Sequence, residues 1–563
     1  MKTLLQNGTV VNVFTGETEQ VNVLIENDSI LGVGDYRPED ADIVCDVTGK
    51  TLCPGFIDGH IHIESTMLLP AEFARVCVPH GTTSVVADPH EIANVCGENG
   101  IAFMLEASEG IPMTVYTMLP SCVPATAFDE SGAVLEARDL EPFYAHPRVL
   151  GLAEMMNYPG VIAGDPQVLG KIRAARAHGR MINGHAPLLS GRDLDRYIAA
   201  GIGDDHECSS AAEAQERIRK GQRVMIRQGT AARNLQDLLP LFEEPWAHRC
   251  LLVTDDKHPT DLLQHGHIDD IIRRAAAAGK NPITGIRMAT LWAAEHFGLK
   301  NLGAIAPGYT ADLLVLDDLP SVQVRDVYRR GVQVVKEGRL IDTGTPAIRP
   351  ALEAAVRESF HMPALSAHDF FLEAQGRRSC RVIRLVPDQL ITEEWITDID
   401  LDRANGIDLP RDILKLAVVE RHRNTGHKGI GFLSGTGLAS GAIASSVSHD
   451  SHNLIVIGTN EADMAAAANR VSAMGGGSIV VRDGETLAEM PLPIAGLMTD
   501  APAPVIAAQN ERLRKTVHQL GVPQGLEPFM TMAFVSLSVI PHLKMTTQGL
   551  VDVDRQQCVP LWV

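Results

Sequence analysis

Residues 55–62 read GFIDGHIH, a short apolar run that closes on two histidines spaced two apart. Side chains alternate faces along a strand, so His60 and His62 point the same way. Seven later runs have the same design, apolar and then polar or charged at the end. They are TTSVVADPHE (82–91), MTVYTMLP (113–120), RVLGLAE (148–154), RMINGH (180–185), GIGDDHE (201–207), QRVMIRQG (222–229) and CLLVTDD (250–256). Helical patterns fall between them, at 165–179, 191–201, 211–221 and 234–244. Eight strands alternating with helices over some 250 residues predict an α/β fold, a (β/α)8 TIM barrel over 54–302. A doubly wound open sheet is the competing architecture, but no glycine fingerprint follows the first strand.

Outside this core the rhythm is different. Residues 1–53 alternate as β-strands do, in TVVNV, VNVLIEN and SILGVG, and a similar stretch runs from Gly303 to about Asp342. The likeness of the two flanks predicts one small β-sandwich built from 1–53 and 303–345. A linker with Pro346, Pro350 and Pro363 leads to a third region, 350–563, expected to be a C-terminal α+β domain. It mixes strands (RVIRLV, HNLIVIG, GSIVVRD) with helices (461–475, 504–521).

Composition narrows the function. With 563 residues the chain is longer than a single barrel, and a net charge of -21 argues against nucleic acid as a partner. The nine cysteines are scattered with no CxxC pair, as in a reduced, cytoplasmic protein. The N-terminus lacks a signal-peptide h-region, and no apolar run approaches a membrane span.

Barrel chemistry sits at the C-terminal ends of the strands. There the sequence places His60, His62, Glu154, His185, His206 and Asp255. Four imidazoles and two carboxylates at one mouth suit two divalent ions per chain with one carboxylate bridging them. Nitrogen and oxygen donors without thiolates fit Mn2+ or Fe2+ first and Zn2+ as well. Arg227 and Gln228 end the seventh run, either to meet a substrate or to bond along the barrel rim. His449, Asp450 and His452 form a second polar cluster, either a functional loop or a hydrogen-bonded turn. Two decoys fail: His62-Ile63-Glu64 lacks a PCxxC partner, and GIGFLSGTGLASG fits no phosphate loop.

PGFIDGHIH with the later TADLLVLD resembles the amidohydrolase superfamily of metallo-dependent hydrolases. The finer motifs HIHIESTML, VADPHEIANV, INGHAP and SHDSHNLIVIG closely resemble the bacterial adenine deaminase family, over essentially the whole chain. Many superfamily members bridge their metals with a carboxylated lysine on strand four. Glu154 stands there instead, which implies a bridge needing no carbon dioxide.

The resemblance implies hydrolytic deamination of adenine to hypoxanthine and ammonia in purine salvage, by a metal-bridging hydroxide attacking C6. Asp255 is implied as general base. Glu91 is the favoured acid for the ring nitrogen, with Asp88 or His90 orienting it and Glu64 competing for the role or touching substrate. Adenine and water are the expected partners, with no membrane and with a homo-oligomer, a dimer, as the assembly. The rival readings are a cyclic-amide hydrolase of the dihydroorotase or hydantoinase kind, and a non-catalytic scaffold. The first usually has the lysine that is missing here; the second would have lost ligands.

Overall fold

The computed structural model describes residues 1–230, 232–341, 344–387 and 389–563. The end of the second flank at Asp342 therefore lies outside the described residues. The chain divides into two compact units. The first is residues 1–89, 104–121 and 140–347; the second is 90–103, 122–139 and 348–563.

Eight parallel strands make the heart of the first unit: β1 (Phe56–Ile61), β2 (Thr82–Ala87), β3 (Thr114–Leu119), β4 (Val149–Met155), β5 (Met181–Gly184), β6 (Asp204–Asp205), β7 (Arg223–Arg227) and β8 (Cys250–Val253). Neighbours pair in parallel from β1 to β5 and from β6 to β8. The Gly203 amide donates to the Ile182 carbonyl at 3.0 Å where β5 meets β6. The ring closes where Ile61 bridges Asp255, whose amide donates to the His60 carbonyl at 2.9 Å. This is the TIM barrel of the sequence reading, with every strand where it was expected.

β1, β2 and β8 are buried at every position, as expected of parallel strands covered on both faces. Two glycines answer to close backbone approach. A Cβ on Gly151 would lie 2.2 Å from the Met181 carbonyl oxygen, and one on Gly184 the same distance from that of Asp204. Helices form as the sequence predicts at Pro166–Ala177, Gly191–Ala199 and Ala211–Arg219. The fourth, expected over 234–244, stops after Leu235–Leu238 and continues as a 3-10 turn, Leu239–Phe242. Pro240 lacks the N–H that an α-helix needs there.

Both flanks contribute to one seven-stranded sheet, in which Leu313–Leu316 pairs with Thr51–Pro54. A four-stranded sheet from the N-terminal flank shares a core with it through Leu5, Val23, Ile25, Leu52, Leu313 and Val315.

In the second unit an eight-stranded sheet runs between Thr392–Asp400 and Glu485–Pro491 as its edges. Helix Glu461–Ala473 lays Met464, Ala467, Ala468 and Val471 on sheet residues Ala442, Ala444, Val456 and Ile479. Small alanines let helix and sheet approach closely. The loop between strands Ala442–Ser445 and Leu454–Gly458 is almost wholly buried.

Candidate functional site

The C-terminal ends of the barrel strands bring together all six ligand-type side chains of the sequence reading. Glu154, at the end of β4, is 3% exposed, and its two carboxylate oxygens face different imidazoles. Oε1 lies 3.2 Å from His62 Nε2 and 3.8 Å from His60 Nε2. Oε2 lies 2.6 Å from His185 Nδ1 and 3.1 Å from His206 Nε2. Asp255 Oδ1 stands 3.1 Å from His62 Nε2 and 3.6 Å from His60 Nε2. The set therefore divides into two groups that share Glu154: His60, His62 and Asp255 on one side, His185 and His206 on the other.

These residues fit metal ions. Among the described residues, His60 Nε2 is buried without a hydrogen-bond partner, a costly state unless its lone pair has a cation to bind. Its distances of 3.6 and 3.8 Å to carboxylate oxygens are too long for hydrogen bonds but suit co-ligands of one ion. His62 Nδ1 donates to the Asp88 carbonyl at 3.0 Å, which turns Nε2 towards the carboxylates. The His185 amide donates to the Tyr197 hydroxyl, which donates onward to the Met155 carbonyl at 2.8 Å.

Electrostatics tell the same story. Burial disfavours charge on His62, His185 and His206, yet the facing carboxylates raise all three above the ordinary imidazole range. Burial also works against an ionised Glu154, but His206 and His185 hold it well below the usual carboxylate range. The pocket is negative enough to draw protons onto buried imidazoles, and a cation placed there would meet the same attraction.

Three residues that sequence reasoning missed or assigned differently complete the site. Glu207, next to His206, lies 3.4 Å from His206 Nε2 and 3.6 Å from His185 Nδ1. Arg227, expected to meet substrate or to bond along the rim, pairs at the rim with Glu207 and donates from Nη1 to Asp255 Oδ2 at 2.6 Å. Asp58 accepts from the amides of His60 and Thr254, each at 3.2 Å, and so ties β1 to the residue before Asp255. Of Glu207 and Asp58, which the sequence reading had not singled out, Glu207 was marked beforehand by its adjacency to a predicted ligand. Burial opposes ionisation of Asp255, but Arg227, with His60 and His62 after it, keeps it well below the ordinary range.

Glu64 is buried in a 3-10 turn, Ile63–Thr66, after β1. Gln228 lines a cavity of about 40 Å³ with Lys257 and Asp261. His90 and Glu91 belong to the second unit, together with His449, Asp450 and His452. Within that unit Glu91 Oε1 lies 2.6 Å from His449 Nδ1, and Oε2 hydrogen-bonds His452 Nε2. Burial would raise the Glu91 pKa, but His449, His452 and His90 hold it well below the usual range.

Two family models match the chain: the amidohydrolase family over residues 51–341 and the adenine deaminase C-terminal domain over 389–557. The chain is 47% identical to the adenine deaminase of Desulfatibacillum aliphaticivorans, over 99% of this chain and 97% of that one. It is 46% identical to adenine deaminase 2 of Carboxydothermus hydrogenoformans, over 99% and 96%. Among solved structures, the β-aspartyl dipeptidase of Fervidobacterium islandicum aligns with 16% identity over 61% of this chain and 98% of that one, at a TM-score of 0.47.

Proposed function

Because the chain belongs to the adenine deaminase family of amidohydrolases, we propose that it hydrolyses adenine at C6, giving hypoxanthine and ammonia. The observation that carries this reading is Glu154, whose two oxygens face two separate sets of imidazoles inside a barrel mouth. His60, His62 and Asp255 would hold one divalent ion and His185 and His206 a second, with Glu154 common to both. Manganese or iron is the first choice for a donor set of nitrogen and oxygen without sulfur. When bound, such a pair lowers the pKa of water towards 7 and so supplies a strong nucleophile at neutral pH.

The rest falls to the chain's own side chains. Asp255 is the general base: it takes a proton from the attacking water as the C6–O bond forms and returns it to the departing amine, the water's second proton passes to the ring nitrogen, and the C6–N bond breaks as ammonia leaves. Its position is fixed from three directions, by the bridge to Ile61, by Asp58 through Thr254, and by Arg227 on Oδ2. Arg227 thereby keeps Oδ2 occupied and turns Oδ1 towards His60 and His62. Glu207 in turn holds Arg227.

The test is to load the protein with manganese, offer it a panel of nucleobases, nucleosides and hydantoins, and follow ammonia. Adenine is expected to turn over, and adenosine not. Ring opening of a hydantoin without ammonia from adenine would overturn the reading.

A further inference from the structure

We propose that the second unit carries a divalent-cation site of its own, formed by His90, Glu91, His449 and Asp450. This goes beyond the deaminase reading. Four donor atoms face one another in nitrogen-to-oxygen pairs: His90 Nε2, His449 Nδ1, Glu91 Oε1 and Asp450 Oδ1. Their nitrogen-to-oxygen separations are 2.6 Å for His449 to Glu91, 3.6 Å for His90 to Glu91, and 3.9 Å from each imidazole to Asp450. Three of the four exceed hydrogen-bond reach. Ligands bonded to one ion at 2.0–2.2 Å sit about 3 to 4 Å apart. The nitrogen-to-oxygen pairs facing Glu154 and Asp255 in the barrel span the same range, from 2.6 to 3.8 Å.

All four residues are at most 5% exposed. The charges of two buried carboxylates balance one divalent cation, and the donor types suit manganese, iron or zinc.

His452 is not a fifth ligand. Its Nδ1 accepts the Ser448 amide at 3.2 Å, so the neutral ring carries its proton on Nε2 and donates it to Glu91 Oε2. That leaves Oε1 for the cation, the role that outer hydrogen bonds play around metal carboxylates. Hydrogen bonds from its surroundings hold the loop bearing His449 and Asp450. Arg421 Nε donates to the His452 carbonyl at 2.6 Å, His422 Nε2 meets the Ser451 carbonyl at 2.7 Å, and the His449 amide donates to the Ala533 carbonyl at 3.1 Å. Donors placed by such a frame are ready before a cation arrives.

The full-length protein, loaded with manganese and freed of excess metal, should be crystallised and its anomalous scattering recorded at the manganese edge. Metal per chain should be counted in solution for the wild type and for Asp450→Asn and His449→Asn. The expected result is an anomalous peak between Glu91 and His449, and one ion fewer in each folded variant than in the wild type. A wild-type crystal with peaks only at Glu154 would overturn the proposal, as would variants that keep the full metal count. A peak at Glu91 with none at Glu154 would leave this site standing and remove the barrel reading instead.

Discussion

Arg227 and Asp255, 28 residues apart in the chain, meet through a 2.6 Å hydrogen bond from Nη1 to Oδ2. Each caps a neighbouring barrel strand, and the bond joins the end of β7 to the residues after β8. Removing one partner of a buried charged pair strands the other, which typically costs about 3–5 kcal/mol. Arg227→Met should therefore lower kcat by roughly 100-fold or more, since a correctly held general base is worth about 10²–10⁴ in rate. Steady-state kinetics with metal content measured on the same sample checks this. Near wild-type kcat in a fully loaded variant would show that Arg227 does not position Asp255.

Glu154→Gln keeps the shape of the side chain but removes the negative charge shared by two imidazole sets. Metal content should fall by at least one ion per chain, and ammonia release from adenine should drop by about three orders of magnitude. Elemental analysis after dialysis, with activity on the same sample, decides the matter. A variant retaining its ions and its rate would exclude Glu154 as the bridge.

Tyr197 acts at one remove. Its hydroxyl accepts the His185 amide at 2.9 Å and donates to the Met155 carbonyl at 2.8 Å, so it sets the backbone that carries His185. Groups that orient metal ligands are worth about 10–100-fold in metal affinity. Tyr197→Phe should weaken manganese binding by about that factor while kcat at saturating manganese changes little. Competition against a fluorescent chelator gives the affinity; an unchanged value would reduce Tyr197 to core packing.

Lys544, fully buried in the second unit, has its pKa pushed down to about 7 because burial disfavours its charge. Its amine donates to the carbonyls of Leu390 and Phe534, both at 3.0 Å. In the unfolded chain the same amine titrates near 10.4. Between those values the unfolded state binds more protons, so stability rises with pH from about 7 to about 10. Below 7 both states are charged and the penalty is present in full. Lys544→Met should remove this dependence. Urea denaturation at pH 7 and pH 9 should show the wild type gaining about 2 kcal/mol relative to the variant. Parallel curves for the two proteins would contradict the shift.

Much of this was legible because a barrel maps sequence onto place. A run such as RMINGH states both its strand and what stands at the strand's mouth, and His60, His62, Glu154, His185, His206 and Asp255 follow from that rule alone. Pairings across the ring are not written in any local pattern. The partners of Arg227, at Glu207 and Asp255, and the pairing of Asp58 with Thr254 196 residues later, are set by how the strands close. Pro240 was visible and its consequence was missed, because the apolar periodicity of 234–244 runs straight through it. Glu91 and His452 lie 361 residues apart, and no spacing rule spans such a distance. The sequence marked SHDSHN as unusual but left open whether it was a turn or a working loop.

The division of the chain bears on how the protein is made. Residues 90–103 and 122–139 emerge from the ribosome early, yet the unit they belong to is completed by residues 348–563. At about 5–20 residues per second, synthesis of the stretch from 140 to 347 keeps them waiting for roughly 10–40 seconds. During that interval His90 and Glu91 are without their later neighbours His449 and His452, and a nascent chain arrested at residue 347 would hold residues 90–103 and 122–139 with the rest of their unit still unwritten. Splitting the gene at the linker would make that arrest permanent, so the two halves are not separable modules despite the proline-marked seam between them.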